Sequence, residues 1–391
     1  MKHTFDFDTP VDRRHSGSYK WDTNPDDDTL PMWVADMDFR TAPAIIDSLR
    51  RRVEHGVFGY THVGRDYYDA VIRWFGERHG WTIEREWFIY TSGVVPAISA
   101  IIKATTEPGD SVITQTPVYN CFFSSIRNNG CRLSANKLLY DRGRYTIDFD
   151  DLERRAADPR ARVLLLCNPH NPSGRVWTPG ELIRIGDICL RNNVLIVSDE
   201  IHCELTYPPH VYTPFCSLSE ELRHISVSCV SPSKAFNIAG LQIANIITAN
   251  PELRQRIDRA ININEVCDVN PFGVEATIAA YNRSGEWLDA LIAYLHDNYL
   301  LLRDHLNHKL PALTVVPLEA TYLAWIDIRP TGLSDQQIAD LLQLTQHLRV
   351  NPGSMYGPGG ESFIRLNLAA PRATIADAAR RLTAALTPLL P

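Results

Sequence analysis

Apolar runs that end in polar clusters recur through the middle of this chain, and they leave it few folds to adopt. The run 163–167 leads into Asn168-Pro169-His170-Asn171-Pro172-Ser173-Gly174, and 194–197 leads into Ser198-Asp199-Glu200-Ile201-His202. A third run, 225–229, precedes Ser231-Pro232-Ser233-Lys234-Ala235-Phe236-Asn237. Strand signals at 87–90, 111–115, 162–167, 194–199 and 225–229 alternate with helical periodicity at 94–106, 119–129 and 179–192. That alternation predicts an α/β fold with a mostly parallel, doubly wound sheet. Open sheets of this kind place their ligand sites beyond the C-terminal ends of the strands, where the polar clusters stand.

Asn171, Asp199 and Lys234, in that order, are the parts needed to hold pyridoxal 5′-phosphate (PLP). PLP acts as an electron sink when a protein carboxylate keeps its ring nitrogen protonated, a role suited to Asp199. The amide of Asn171 can donate to the phenolic oxygen of the ring. Lys234 can bond the aldehyde and, once displaced by an amino acid, serve as a base. Taken singly, an Asn-Pro step is a turn, an aspartate at a strand end is a cap and a lysine is a surface charge. Their occurrence together and in order, each just past a strand, selects the functional reading. Thr91-Ser92-Gly93-Val94-Val95 opens the helix at 94–106, and amides at a helix N-terminus suit a phosphate.

These residues, with Leu30-Pro31-Met32-Trp33-Val34-Ala35-Asp36-Met37-Asp38-Phe39, Gly56-Val57-Phe58-Gly59-Tyr60 and Phe363-Ile364-Arg365-Leu366-Asn367, carry a resemblance over nearly the whole chain. The sequence resembles the fold-type I PLP enzymes and, within them, the MalY/PatB class of C–S lyases (cystathionine β-lyase type). The resemblance implies an N-terminal segment 1–42 that joins a small domain 286–391, and a large PLP-binding domain 43–285. It implies phosphate contacts at Val94, Val95 and Ser231, Tyr119 stacked on the pyridine ring, and His202 beside the cofactor. Tyr60 would reach the phosphate from a neighbouring subunit of a homodimer. Arg365 would take the substrate α-carboxylate, and Asp38, Met37 and Tyr322 would line the side-chain pocket. Two positions depart from the aminotransferase pattern: Gln242 where many relatives carry a phosphate-binding arginine, and His202 where tyrosine is frequent. Glutamine hydrogen-bonds but brings no charge. The implied activity is β-elimination from L-cystathionine or a related cysteine thioether, giving a thiol, pyruvate and ammonia. An aminotransferase, and a PLP-fold dimer with a regulatory binding role, are the alternatives.

Composition narrows the partners. A chain of 391 residues with 45% hydrophobic and 22% charged residues is large enough for two or three domains. A net charge of −7 argues against a nucleic-acid surface, and Arg50-Arg51-Arg52 reads as the end of a helix at 44–55. No segment supplies the roughly 18 apolar residues of a membrane span. Met1-Lys2-His3-Thr4-Phe5-Asp6 lacks the apolar core of a signal peptide, so a cytoplasmic location is expected. The 8 cysteines form no Cys-x-x-Cys pair and several sit in apolar runs, as reduced thiols do. The 13 histidines include no His-x-x-x-His, and no metal is expected. Further helices are predicted at 67–79 and 286–307, the latter leading into an αβ region from about 310 to 391.

Overall fold

The computed structural model describes residues 5–24, 26–263, 265 and 268–390. Cys267 therefore lies outside the described residues; the other seven cysteines are unpaired.

A seven-stranded sheet forms the centre, in the order Phe88–Thr91, Ala244–Ile247, Ser226–Val230, Leu195–Asp199, Ala161–Cys167, Ser111–Thr116, Arg132–Lys137. Every pairing is parallel except those of Ala244–Ile247, which runs antiparallel to both neighbours. The inner strands are buried on both faces because helices cover both. Successive side chains alternate across a strand. Leu164 and Leu166 pack with Leu182 and Ile185 of the helix Pro179–Arg191, while Val163 and Leu165 pack with Ile98 and Ile101 of the helix Val94–Thr105. Such doubly covered strands read as continuous apolar runs, the signal visible at 163–167. Local chemistry sets the helix ends. Thr178 and Glu181 form a capping box ahead of Pro179, and Gly56, at φ 74°, closes the helix Pro43–His55.

A second, antiparallel sheet orders Thr314–Val315, Leu323–Asp327, Phe363–Asn367 and Asn351–Pro352. The N-terminal segment is stitched to it. Leu30–Pro31 pairs in parallel with Leu348–Arg349, and Asn367 donates through Nδ2 to the carbonyls of Val34 and Asp36, both at 2.6 Å. The helix Gly285–Lys309 packs against the C-terminal helix Arg372–Leu386. Among the described residues, no helix is long and apolar enough to cross a membrane.

One close approach fixes the loop after Asn351–Pro352. A Cβ at Gly353 would stand 2.0 Å from the carbonyl oxygen of Gly360 and 2.7 Å from that of Phe363, both backbone atoms. Gly353→Ala is expected to cost about 3 kcal/mol, because the backbone must move to admit the methyl group. The urea midpoint of the purified variant measures this, and an unchanged midpoint would refute it.

Candidate active site

Connections leaving the C-terminal edge of the central sheet converge on a cavity of about 480 Å³. Gly93, Val94 and Val95 follow Phe88–Thr91, and Tyr119 and Cys121 follow Ser111–Thr116. Asn171 follows Ala161–Cys167, Asp199 ends its own strand with His202 just beyond, and Ser233 and Lys234 follow Ser226–Val230. Arg365 enters from the second sheet, and Trp33 to Ala35 of the N-terminal segment close the wall.

The charges in this cavity are poorly matched by the chain itself. Asp199 is buried and accepts a hydrogen bond from the backbone N–H of Ile201 at 3.1 Å. Burial, with Glu200 adding to it, pushes its carboxyl up to about 7, against the opposing pull of the Ile201 amide and Lys234. Lys234 donates from Nζ to the carbonyl of Ala35 at 2.6 Å. Burial and then the neighbouring Arg365 push its amine down to about 8. Burial, Lys234 and Arg365 together push His202 down to about 3, so it is a neutral ring, and its Nδ1 has no partner. Arg365 is 4% exposed and bonds only neutral acceptors, Asn171 Oδ1 at 3.2 Å and the Trp33 carbonyl at 2.9 Å. Its Nε is buried without a partner, and the guanidinium lies 4.9 Å over the Tyr356 ring.

The N-terminus of the helix Val94–Thr105 has no side-chain cap and no acidic residue in its first turn. Open amides and the positive end of the dipole therefore face the cavity unneutralised.

Of the residues singled out from sequence, the cavity brings together Val94, Val95, Tyr119, Asn171, Asp199, His202, Lys234 and Arg365. Others stand elsewhere. Ser231 is not in the cavity wall; its hydroxyl donates to the carbonyl of Ile243 at 2.7 Å and accepts from the Ser233 amide at 3.1 Å. Ser233, two residues on, lines the cavity instead. Asp38 is held by Lys20 and Arg13, at 2.8 and 2.7 Å, outside the cavity wall. Met37 is buried in the core with its amide on Asn237 Oδ1. Tyr322 sits behind the wall, donating to the same Ala35 carbonyl that Lys234 uses. Tyr60 is 98% exposed and Gln242 is exposed in a left-handed conformation, neither of them in the cavity. Sequence reasoning missed Ser233, Cys121, Asn351, Met355 and Tyr356 as wall residues. Only Ser233 carried a signal, its place beside Lys234 in the motif.

Away from the cavity, His79, Cys203 and Glu204 bring their ligating atoms within 4.8 Å of one another. Glu204 Oε1 already accepts from Trp74 Nε1 at 2.7 Å and lies 2.9 Å from His79 Nε2, with Arg78 Nε 3.4 Å from Oε2. Burial opposes ionisation of Glu204, but His79, Trp74 and Arg78 outweigh it and hold the carboxyl below its usual range. The cluster is an ion network with its own cation, although Glu204 Oε2 is buried without a hydrogen-bond partner.

A lysine, an aspartate and an arginine thus gather in one cavity at the C-terminal edge of the mostly parallel sheet of an α/β protein. The family model for aminotransferase class I and II matches residues 29–382, and the chain belongs to that family. It is 43% identical to cystathionine beta-lyase PatB of Bacillus subtilis strain 168, over 97% of this chain and 100% of that one. It is 34% identical to protein MalY of Escherichia coli K12, over 95% and 96% of the two chains. The crystal structure of cystalysin from Treponema denticola, which contains a pyridoxal 5′-phosphate cofactor, superposes with a TM-score of 0.96 at 37% identity, covering 98% of this chain and 99% of that one.

Proposed function

We propose that this protein is a PLP-dependent C–S β-lyase that cleaves L-cystathionine or a related cysteine thioether. The observation that carries the reading is Asp199, a buried carboxylate pushed up to about 7 with no ion pair among the described residues. A buried acid in that condition calls for a cationic partner, and a protonated pyridine nitrogen is one. The uncapped helix N-terminus at Val94 fits a phosphate, and the unpartnered His202 Nδ1 and Arg365 Nε fit further polar groups in the cavity.

In this reading Lys234 would hold the cofactor's aldehyde carbon, Asp199 its ring nitrogen and Asn171 its phenolic oxygen. The amides of Val94 and Val95 and the hydroxyl of Ser233 would hold its phosphate, and Tyr119 would pack on its ring. When bound, PLP supplies the electron sink that lets negative charge develop at the substrate Cα. Arg365 takes the substrate α-carboxylate as a forked pair. Once the substrate's amine has taken its place at the aldehyde carbon, Lys234 would be a free amine beside Cα and would take the Cα proton, burial and Arg365 favouring its neutral form. The Cβ–S bond breaks, the sulfur leaves with the electron pair, and Lys234 returns the proton to it. The remaining three-carbon enamine hydrolyses to pyruvate and ammonia.

Incubation with L-cystathionine and PLP, without a 2-oxo acid, is expected to release pyruvate and thiol in equal amounts. Amine transfer to an added 2-oxo acid, with no pyruvate in its absence, would make the protein an aminotransferase instead.

We also infer a homodimer with shared sites. Val57, Phe58 and Tyr60 are 62%, 55% and 98% exposed, an apolar ledge suited to a second copy that Tyr60 would enter. Phe58→Asp is expected to convert a dimer to a monomer in sedimentation velocity and to weaken PLP binding about tenfold or more. A wild-type monomer would overturn this. The N-terminal segment 1–42 and residues 286–391 are read as the smaller domain, with 43–285 as the larger.

A further inference from the structure

A second cavity, of about 570 Å³, abuts the first along Trp33, Asn351 and Met355, which line both. Its charged lining side chains are Arg349 and Asp340. Arg349 lies 3.9 Å over the Trp33 ring and donates only to neutral acceptors, the Thr23 carbonyl at 2.8 Å and Asn24 Oδ1 at 3.0 Å. Partial burial lowers its pKa, and no described carboxylate acts on it in compensation. Gln343, in the same wall, keeps a buried Oε1 without a partner. Asp340 accepts a bond from Gln336 Nε2 at 2.8 Å and is otherwise exposed on the helix Asp335–Gln346.

A guanidinium taken partly out of water without an anion is costly, and its fork matches a carboxylate. Arg365 supplies such a fork for one end of a substrate. Arg349, stacked on Trp33, supplies another in the adjoining cavity, whose lining also holds the acid Asp340.

We propose that this second cavity binds the far end of the leaving thiol and recognises a zwitterionic amino-acid head group, its carboxylate on Arg349 and its ammonium facing Asp340. The inference rests on the lyase reading above and names its substrate class: thioethers whose leaving side carries a second amino acid, in preference to plain alkyl or aryl thioethers.

The test compares L-cystathionine with S-ethyl-L-cysteine, which share the scissile bond but differ in the distal head group. The readout is the ratio of their kcat/KM values in the PLP-loaded enzyme. Arg349→Gln is expected to lower that ratio about tenfold, chiefly through KM for L-cystathionine, and Asp340→Asn about threefold. Arg349 also steadies Trp33, so a variant that is merely misfolded would lose both substrates equally. Asp340 is exposed and makes no such contact, which keeps the second variant informative. A ratio unchanged within about twofold in both variants would overturn the subsite. Absence of pyruvate from both substrates in the wild type would instead remove the lyase reading. Calorimetric binding of L-cystathionine then decides the subsite: about tenfold weaker binding to Arg349→Gln supports it, and equal binding refutes it.

Discussion

Lys234→Ala is expected to reduce pyruvate release from L-cystathionine by about 10³-fold or more, since in the proposed site one side chain is both covalent holder and base. The reasoning starts from its position. Lys234 follows the strand Ser226–Val230 and donates to the Ala35 carbonyl, which keeps its amine inside the cavity with Asp199 and Arg365. An ordinary lysine is almost wholly charged at pH 8 and removes protons poorly. Burial and Arg365 bring this one down to about 8, where the neutral, proton-accepting form is abundant. Alanine removes the base without adding volume, and no other described side chain in the cavity replaces it. His202, the nearest alternative in type, is pushed down to about 3 and accepts protons weakly. A second readout separates attachment from catalysis. Borohydride treatment is expected to fix PLP onto wild-type Lys234, detected by peptide mass, and to leave the alanine variant unlabelled. Activity within about tenfold of wild type would show that the base is some other group.

The central sheet was legible because its inner strands are buried on both faces, which forces apolar runs such as 163–167 that end abruptly in polar turns. Asn171, Asp199 and Lys234 stand beyond three of those runs, so their convergence follows from strand order. Ala244–Ile247 was not read. It follows the strand Ser226–Val230 after a short connection with no α-helix, and a chain that returns without a crossover can only pair antiparallel. Ser231 and Ser233 show a finer limit. Both hydroxyls sit near the lysine in sequence, but the unmet carbonyl of Ile243, on the approach to that unread strand, claims Ser231. Arg365 was placed at the substrate from resemblance; the structure buries it facing Asn171, with no ion pair among the described residues. Arg349 left no trace in the sequence, because its environment is assembled from residues 23, 24 and 33, hundreds of positions away in the chain.

Asp199→Asn is expected to stabilise the cofactor-free protein at pH 8 and to cripple the loaded one. In the free protein burial, reinforced by Glu200, raises the Asp199 carboxyl to about 7. A group whose folded pKa is raised contributes stability that is fully present below its unfolded pKa, near 4, and is lost as pH rises through its folded value. The cofactor-free wild type should therefore lose stability between about pH 4 and pH 7, by up to about 4 kcal/mol from this group. Asparagine does not titrate, so the variant should match the wild type near pH 4 and exceed it at pH 8. Other titrating groups are common to both proteins and cancel in the difference. PLP reverses the sign of the substitution. In the proposed site a protonated ring nitrogen would give the wild-type carboxylate its cation, and asparagine would leave that nitrogen without its anion, weakening both binding and the electron sink. PLP affinity and kcat are each expected to fall about 10²-fold or more. Urea unfolding of both cofactor-free proteins at pH 4.5 and pH 8, beside a PLP titration, measures the two halves. Parallel stability curves would show that Asp199 is already neutralised by the chain itself. Undiminished activity would show that the ring nitrogen is held by another residue.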